Sequence, residues 1–315
     1  MSEGLPLVSA GIPVYQGANF LDQTLVALRS QDYPNLEIVV CDNASTDRTA
    51  EIARKHTDED PRVRIIVNQV NIGAAPNYNK VFEVSRGEYF AWNAHDDQSS
   101  SGFFRSGVAA LQAESDAVVA IPNSFRVDLE GNRLEEFEIP PGIHSTRPHI
   151  RFRAGARADP EAIVFGLFRS DAIRRTHLHG SFAGSDRNFV AELMLHGRAV
   201  MAPDSEFYLL EHPGRSVRTF QRTGKDRFTH MRDAWYSPER KGRMVFPNWR
   251  RLREYISSVR RTPLGFTDSL LCYLAVGRIL TDDGFKLAKQ LGYDIVAAGF
   301  FVARKLSGSG TPNEV

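Results

Sequence analysis

Between residues 7 and 92, short apolar runs alternate with helix-period segments, and no other feature of the chain constrains its fold as tightly. Residues 7–14 read as a first strand ended by Pro13 and a polar turn. Residues 19–31 repeat Leu21, Leu25 and Leu28 at i, i+4 and i+7, one face of a helix. After the Pro34-Asn35 break, residues 36–41 (LEIVVC) form a second buried strand. A helix is expected from about residue 46, capped by Ser45 or Thr46, with Ile52 and Ala53 facing inward. Residues 63–67 supply a third strand, and Pro76 suits the first turn of a helix that carries Tyr78, Val81 and Phe82 to the core. Tyr89, Phe90, Ala91 and Trp92, bounded by Gly87 and Asn93, read as an inner strand. This alternation implies an α/β fold, a mostly parallel sheet with helices on both faces.

The order breaks after Gly102. A helix over residues 103–113 precedes a short strand at 117–121, and the alternation around Glu130-Gly131-Asn132 predicts a hairpin. Residues 139–160, rich in Pro, Gly, His and Arg, are expected to be a long loop. Helical patterns return at residues 161–168, 170–176 and 187–196. From about Trp235 the composition changes to short helices with basic faces. Trp249, Leu252, Ile256 and Val259 share one side of a helix whose other side carries Arg250, Arg251, Arg253, Arg260 and Arg261. Such a helix can rest on an anionic membrane surface, meet an acidic acceptor, or be an ordinary packed and solvated element. Residues 270–280 and 291–306 continue the helical extension, and only the Ser-Gly-Ser-Gly tail at 307–310 resembles low-complexity sequence. The expected divisions are 1–115, 116–225 and a helical extension at 226–315.

A net charge of +1 gives no reason to expect a nucleic-acid partner. Two cysteines, Cys41 and Cys272, make no disulfide framework and suit a reducing compartment. The first residues carry Glu3 where a secretion signal needs positive charge, and no apolar run reaches the ~20 residues that span a bilayer. A cytoplasmic protein is expected, with peripheral attachment at the inner face of the membrane as an option.

The candidate chemistry lies in GEYFAWNAHDD, residues 87–97. His95, Asp96 and Asp97 fall just past the carboxyl end of the fourth strand, the edge where open α/β sheets bind ligands. Adjacent carboxylates repel unless a proton or cation neutralises one of them. Mg²⁺ or Mn²⁺ carrying a diphosphate would do so. A solvated acidic turn is the plain alternative.

Several segments in this order resemble the inverting glycosyltransferases of family 2, whose nucleotide-sugar-binding fold is called GT-A. Ile12-Pro13-Val14-Tyr15 is similar to the family's first strand end, with Gln16 where Asn is usual. VVCDNASTDRT resembles its second strand end, with Asp42 at the nucleoside position and Asn43 where a second Asp often stands. Asn71-Ile72-Gly73, with Asn77 and Asn79, is similar to its N-x-G loop and the following helix. In GEYFAWNAHDD, Asp96 matches the last Asp of the D-x-D motif, and Ala94 occupies the place of the first. Gly184-Ser185-Asp186-Arg187 resembles the segment that carries the catalytic base, and Glu211-His212-Pro213-Gly214-Arg215-Ser216 resembles R-x-H-x-x-S with Leu210 in place of its Arg.

The resemblance implies a GT-A fold with a small hairpin region, a nucleotide-sugar-binding half at 1–115 and an acceptor-side half at 116–225. It implies a metal-assisted, inverting transfer of a sugar to an acceptor hydroxyl, with Asp186 as base. Asp96, Asp97 and His212 become metal ligands for Mn²⁺ or Mg²⁺. Pro13, Tyr15, Asp42, Asn43, Asn71, Gly73, Asn79, His95, Asp96 and Arg215 become nucleotide-sugar contacts, with Arg218 a further phosphate candidate. UDP is the first expectation for the carrier, with GDP and dTDP as alternatives. The acceptor would be a glycan, a lipid-linked or a small molecule in polysaccharide or glycolipid biosynthesis. A nucleotidyltransferase-like enzyme and a non-catalytic nucleotide-sugar-binding protein stay open as rival readings. The former predicts a Gly-rich phosphate loop, and none follows the first strand.

Overall fold

Every residue of Val8–Val14 (β1) and Leu36–Asp42 (β2) is buried, as runs such as LEIVVC require when both faces of a strand are covered. In this computed structural model, which describes residues 4–215 and 247–282 with Gly284 and Ile295, β1 pairs in parallel with β2. On its other side β1 pairs with Tyr89–Trp92 (β4), and β2 pairs with Val63–Val67 (β3). Leu21–Arg29 (α1), Thr49–Glu59 (α2) and Ala74–Glu83 (α3) connect these four strands. Leu21, Leu25 and Leu28 are buried on α1, as their spacing predicts.

The second half is less regular. Gln98–Ser99 (β5) and Phe103–Ala113 (α4) lead into Ala117–Val127 (β6), which turns back as Arg133–Glu136 (β7). A 3₁₀ turn at Pro141–His144, Pro148–Arg157 (α5) and Glu161–Val164 (α6) precede Leu167–Arg169 (β8) and Ser170–Arg174 (α7). Ser185–His196 (α8) and Arg198–Leu210 (β9) complete the body, and Pro247–Arg261 (α9) and Phe266–Asp282 (α10) follow. The sheet order is β3-β2-β1-β4-β8-β6-β9-β5, with β7 on β6. β8 runs antiparallel to β4 and β6, while β6 and β9 are parallel, so the sheet is mixed and mostly parallel.

Several expectations are corrected. The short strand at 117–121 and the first hairpin strand are one element, β6, which passes straight through Pro122. The expected loop at 139–160 contains α5, because Phe152 and Ala156 pack with Ala191 and Leu195 of α8. The expected helix at 161–168 ends at Val164, and Leu167 and Phe168 are buried in β8 between β4 and β6. β9 escaped the periodicity because Pro203, Asp204 and Ser205 bulge from it: Pro122 faces Ala202, and the next pair is Asn123 with Glu206. Neither Ser45 nor Thr46 caps α2; Asp47 accepts the Thr49 N–H instead, at 3.0 Å.

On α9 the inward residues are Leu252, Tyr255 and Val259, whereas Trp249 and Ile256 are 42% and 44% exposed. Tyr255 packs edge-on against Phe152 at 5.8 Å, which sets the rotation of the helix. Tyr255, Val259, Cys272, Ala275, Val276 and Ile279 join residues of α5 and α8 in a second apolar cluster that ties α9 and α10 to the body. Of the expected helix at 291–306 only Ile295 is described, and Ser216, Arg218 and the 307–310 tail lie outside the described residues.

Candidate active site

Between β1 and β4 the strand order reverses, and a crevice at the carboxyl ends follows from that topology. β1 stays paired with β2 as far as Val14 and Asp42, but its pairing with β4 ends at Gly11 and Trp92. The Asn93 N–H still reaches the Gly11 carbonyl, at 2.9 Å. Pro13, next in that alternation, offers no N–H where β4 has already turned away, so the strand opens there without an orphaned donor. Tyr15, directly beyond, is 46% exposed. Gly17 is needed for close approach, since a Cβ there would lie 2.8 Å from the His95 ring.

At the end of β2, Asp42 is fully buried; its Oδ1 accepts the Ser45 N–H at 3.1 Å, and its Oδ2 has no hydrogen-bond partner among the described residues. An unpaired buried carboxylate oxygen is costly unless a ligand donates to it. Asn43, Asn71 and Gly73, expected as ligand contacts, are tied to one another. Asn43 donates to Asn71 Oδ1 at 2.9 Å and to the Gly73 carbonyl, and accepts from Asn68 and from the Ile72 N–H. Gly73 has φ 93°, a conformation that favours glycine. These residues shape the loop beside Asp42. Asn79 is likewise spent, donating to the His179 carbonyl at 2.9 Å and accepting the His179 N–H at 3.0 Å. It pins the segment that leads to α8.

Past β4, His212 Nε2 lies 2.9 Å from Asp96 Oδ2, and His95 Nδ1 lies 3.8 Å from Asp96 Oδ1. The Phe20 ring backs His212 at 4.4 Å between centroids. Burial opposes ionisation of Asp96, yet the His212 hydrogen bond and the charges of His95, His212 and Arg215 hold it below the usual carboxylate range. Asp97 goes the other way: burial and the neighbouring Asp96 charge push its carboxyl well up. Its Oδ1 accepts the Leu210 N–H at 2.9 Å, fastening the end of β9 beside β4. The pair therefore divides, one carboxylate charged and one structural.

The expected three-ligand set of Asp96, Asp97 and His212 is not assembled; no group of three or more metal-competent side chains converges among the described residues. Asp96 and His212 nevertheless supply two donors of the right chemistry. Mg²⁺ and Mn²⁺ commonly take one or two carboxylates and complete their shell with substrate phosphates and water. The donor set suits an ion that arrives with a diphosphate and not a preformed protein cage.

Arg215, expected at the phosphates, donates to Glu161 at 3.3 Å and to the Leu210 carbonyl at 3.4 Å. Glu161 also pairs with Arg126 at 3.1 Å, and Arg126 reaches Glu211 at 3.2 Å. The spacing of these residues carries no signal of this network, because β6, α6 and the end of β9 meet only in three dimensions. At the head of α8, Asp186 Oδ1 accepts the Arg187 N–H at 2.8 Å. Burial raises its carboxyl pKa, against the Arg187 hydrogen bond and the Arg187 and Arg251 charges, while Asp159 adds repulsion. α9 holds both the preceding loop and α8: Arg250 donates to the Ser181 carbonyl at 3.3 Å, and Asn188 of α8 donates to the Arg251 carbonyl at 2.9 Å.

The model of "Glycosyl transferase family 2" matches residues 9–181, more than half of the chain. The chain belongs to that family. This family 2 chain is 31% identical over 222 residues to glycosyltransferase GlyG of Streptococcus pneumoniae, a match that covers 67% of this chain and 72% of that one. It is 29% identical over 131 residues to an uncharacterized glycosyltransferase of Haemophilus influenzae, covering 42% of this chain and 52% of the relative. It thus spans about half the length of that relative. Among solved structures it is similar to S. aureus TarS 1-349 in complex with UDP-GlcNAc, with a TM-score of 0.56 and 14% identity over 98% of this chain and 94% of that one. The family 2 chain has the GT-A fold with a helical C-terminal extension.

Proposed function

We propose that the protein transfers a sugar from a nucleoside diphosphate-sugar to an acceptor hydroxyl with inversion and metal assistance. The observation that carries this reading is the Asp96–His212 pair, 2.9 Å apart at the carboxyl edge of the sheet, beside the crevice between β1 and β4. Residues 1–115 would seat the donor and residues 116–225 the acceptor, with residues 226–315 as an appended helical part. Asp42 Oδ2, buried without a partner, would accept an N–H of the base or a ribose hydroxyl, and the exposed Tyr15 ring offers the base a stacking surface. UDP is the preferred carrier, supported by the UDP-GlcNAc that the similar TarS structure holds.

Asp96 and His212 would hold Mn²⁺ or Mg²⁺, which when bound offsets the charge that grows on the leaving diphosphate. Arg215, whose charge already acts on both Asp96 and Asp97, adds to that field. Asp186 takes the proton of the acceptor hydroxyl as it attacks the anomeric carbon from the face opposite the diphosphate. Its raised pKa makes it a stronger base than an exposed aspartate once ionised. One in-line displacement inverts the anomeric configuration.

The test has two stages. A thermal-shift screen of UDP-, GDP- and dTDP-sugars with and without Mn²⁺ identifies the donor, because a bound ligand raises apparent stability. The anomeric configuration of the product is then read by NMR. A retained configuration would remove Asp186 from its role, and metal-independent donor binding would remove Asp96 and His212 from theirs.

A further inference from the structure

The outward sides of α9 and α10 carry large apolar residues and arginines together. Trp249, Arg253, Ile256 and Arg260 follow one another on α9 at i, i+4, i+7 and i+11, and all four are exposed. At 100° per residue they fall within an arc of about 60°, a single line along the helix. Arg250, Arg251 and Arg261 on the same helix are turned to the protein: to Ser181, to the Gly184 loop and to Glu192. Arg253 and Arg260 form no ion pair among the described residues, and no carboxylate interrupts their line. Glu254 lies off it, 3.8 Å from Arg261. Just past the end of α9, Phe266 opens α10 at 85% exposure, and Leu270 and Leu274 continue outward at 50% and 57%. The opposite side of α10 packs on α5 and α9 through Cys272, Ala275, Val276 and Ile279.

We propose that this face, the outer line of α9 with the Phe266 tip of the hairpin, docks on an anionic lipid bilayer. Exposed indole, phenyl and branched aliphatic groups interleaved with exposed guanidinium groups match the headgroup region, where apolar bodies sink and cations meet phosphates. A bilayer provides many phosphates without fixed geometry, so two arginines spaced two turns apart on a helix can both be satisfied. A second copy of the chain is the poorer occupant. A two-fold contact centred on this line brings Arg253 of one copy toward Arg260 of the other, and like charges across an interface are repulsive. The inner side of α9 holds the loop before Asp186, so docking would set that loop at a fixed height above the lipid surface.

The experiment is co-sedimentation of the full chain with vesicles of phosphatidylcholine alone or of equimolar phosphatidylcholine and phosphatidylglycerol. The chain should pellet only with the anionic vesicles, and less as salt rises. Arg253→Gln with Arg260→Gln should weaken partitioning about thirtyfold, about 1 kcal/mol for each arginine at the surface. Phe266→Ser with Leu270→Ser should weaken it at low and high salt alike. All four positions are exposed, so both double variants should melt with the parent, which separates lost docking from lost folding. The readout needs neither donor nor metal, so failure of the transferase reading would leave it standing. Equal pelleting with neutral vesicles, pelleting with neither, or binding that both double variants leave unchanged would overturn the proposal. So would a concentration-dependent dimer in which Phe266 becomes protected.

Discussion

His212 Nε2 and Asp96 Oδ2 meet at 2.9 Å across 116 residues of sequence, and Phe20 supports the imidazole from behind. The contact joins the segment just past β9 to the segment just past β4. If Asp96 and His212 share an incoming ion, then Asp96→Asn should abolish the Mn²⁺-dependent part of the donor-induced thermal shift and lower kcat by about 100- to 1,000-fold. His212→Gln should do the same more weakly. A Mn²⁺ titration that neither substitution alters would break this link.

Asp186→Asn preserves shape and removes the base. Transfer should fall about 100- to 10,000-fold, with donor binding by thermal shift unchanged. In the parent, only the ionised carboxylate can take a proton, and burial raises the pKa at which it ionises. Activity should therefore decline on the acid side at a higher pH than an exposed aspartate would set, and kcat/KM measured against pH reads that limb.

Asp42→Asn tests the unpaired Oδ2. The amide keeps an acceptor for the Ser45 N–H but turns N–H groups toward the ligand position. Donor affinity should fall about tenfold, while the ligand-free protein melts no lower, because a neutral amide costs less to leave unpaired in a buried position than a carboxylate oxygen does. Isothermal titration with the identified donor measures the first effect and calorimetry the second.

Asn79→Ala separates scaffold from ligand contact. Losing two hydrogen bonds to the His179 backbone should destabilise the fold by about 1–3 kcal/mol, seen as a lower melting temperature. The shift that donor adds to that lowered temperature should be unchanged. A donor affinity that falls along with stability would restore Asn79 to the nucleotide site.

His179 is buried against Tyr78, Trp92 and Phe189, and burial lowers its pKa from 6.5 to about 4. The unfolded chain takes up a proton below pH 6.5 that the folded chain refuses until about pH 4. Its contribution is complete above pH 6.5 and is lost as pH falls toward 4, by up to about 3 kcal/mol. His179→Phe keeps a ring in the cluster and should flatten that part of the stability curve, measured by urea unfolding at several pH values.

The first half of the fold is legible from residues 7–92 because each strand there is buried on both faces and each helix on one, so hydrophobic period and burial coincide. That agreement fails in the second half. Phe165 to Phe168 form an apolar run that periodicity cannot assign, and only the gap between β4 and β6 makes its end a strand. β9 hides behind the Pro203 bulge, and α5 behind its arginines, one of which, Arg151, is buried against the end of α8.

The local character of the site residues was written in the chain itself: an acidic pair after a buried strand, a histidine before a proline, an aspartate at a helix start. Their partners were not. Nothing in the spacing of Asp96 and Asp97 says that one keeps its charge and the other is pushed toward neutrality. That depends on the His212 hydrogen bond and the histidine charges beside Asp96, and on the burial of Asp97 next to the Asp96 charge. Nor does composition say that Asn43 and Asn79 are engaged by neighbours through both ends of their amides, or that two arginines of α9 face solvent while three face the protein. The sequence by itself determined which elements form, since backbone propensity and hydrophobic period act over a few residues. Tertiary structure alone decided which polar groups are spent on one another and which remain for a ligand, because hydrogen bonds and charges act at distances of a few ångströms that only the packed chain defines.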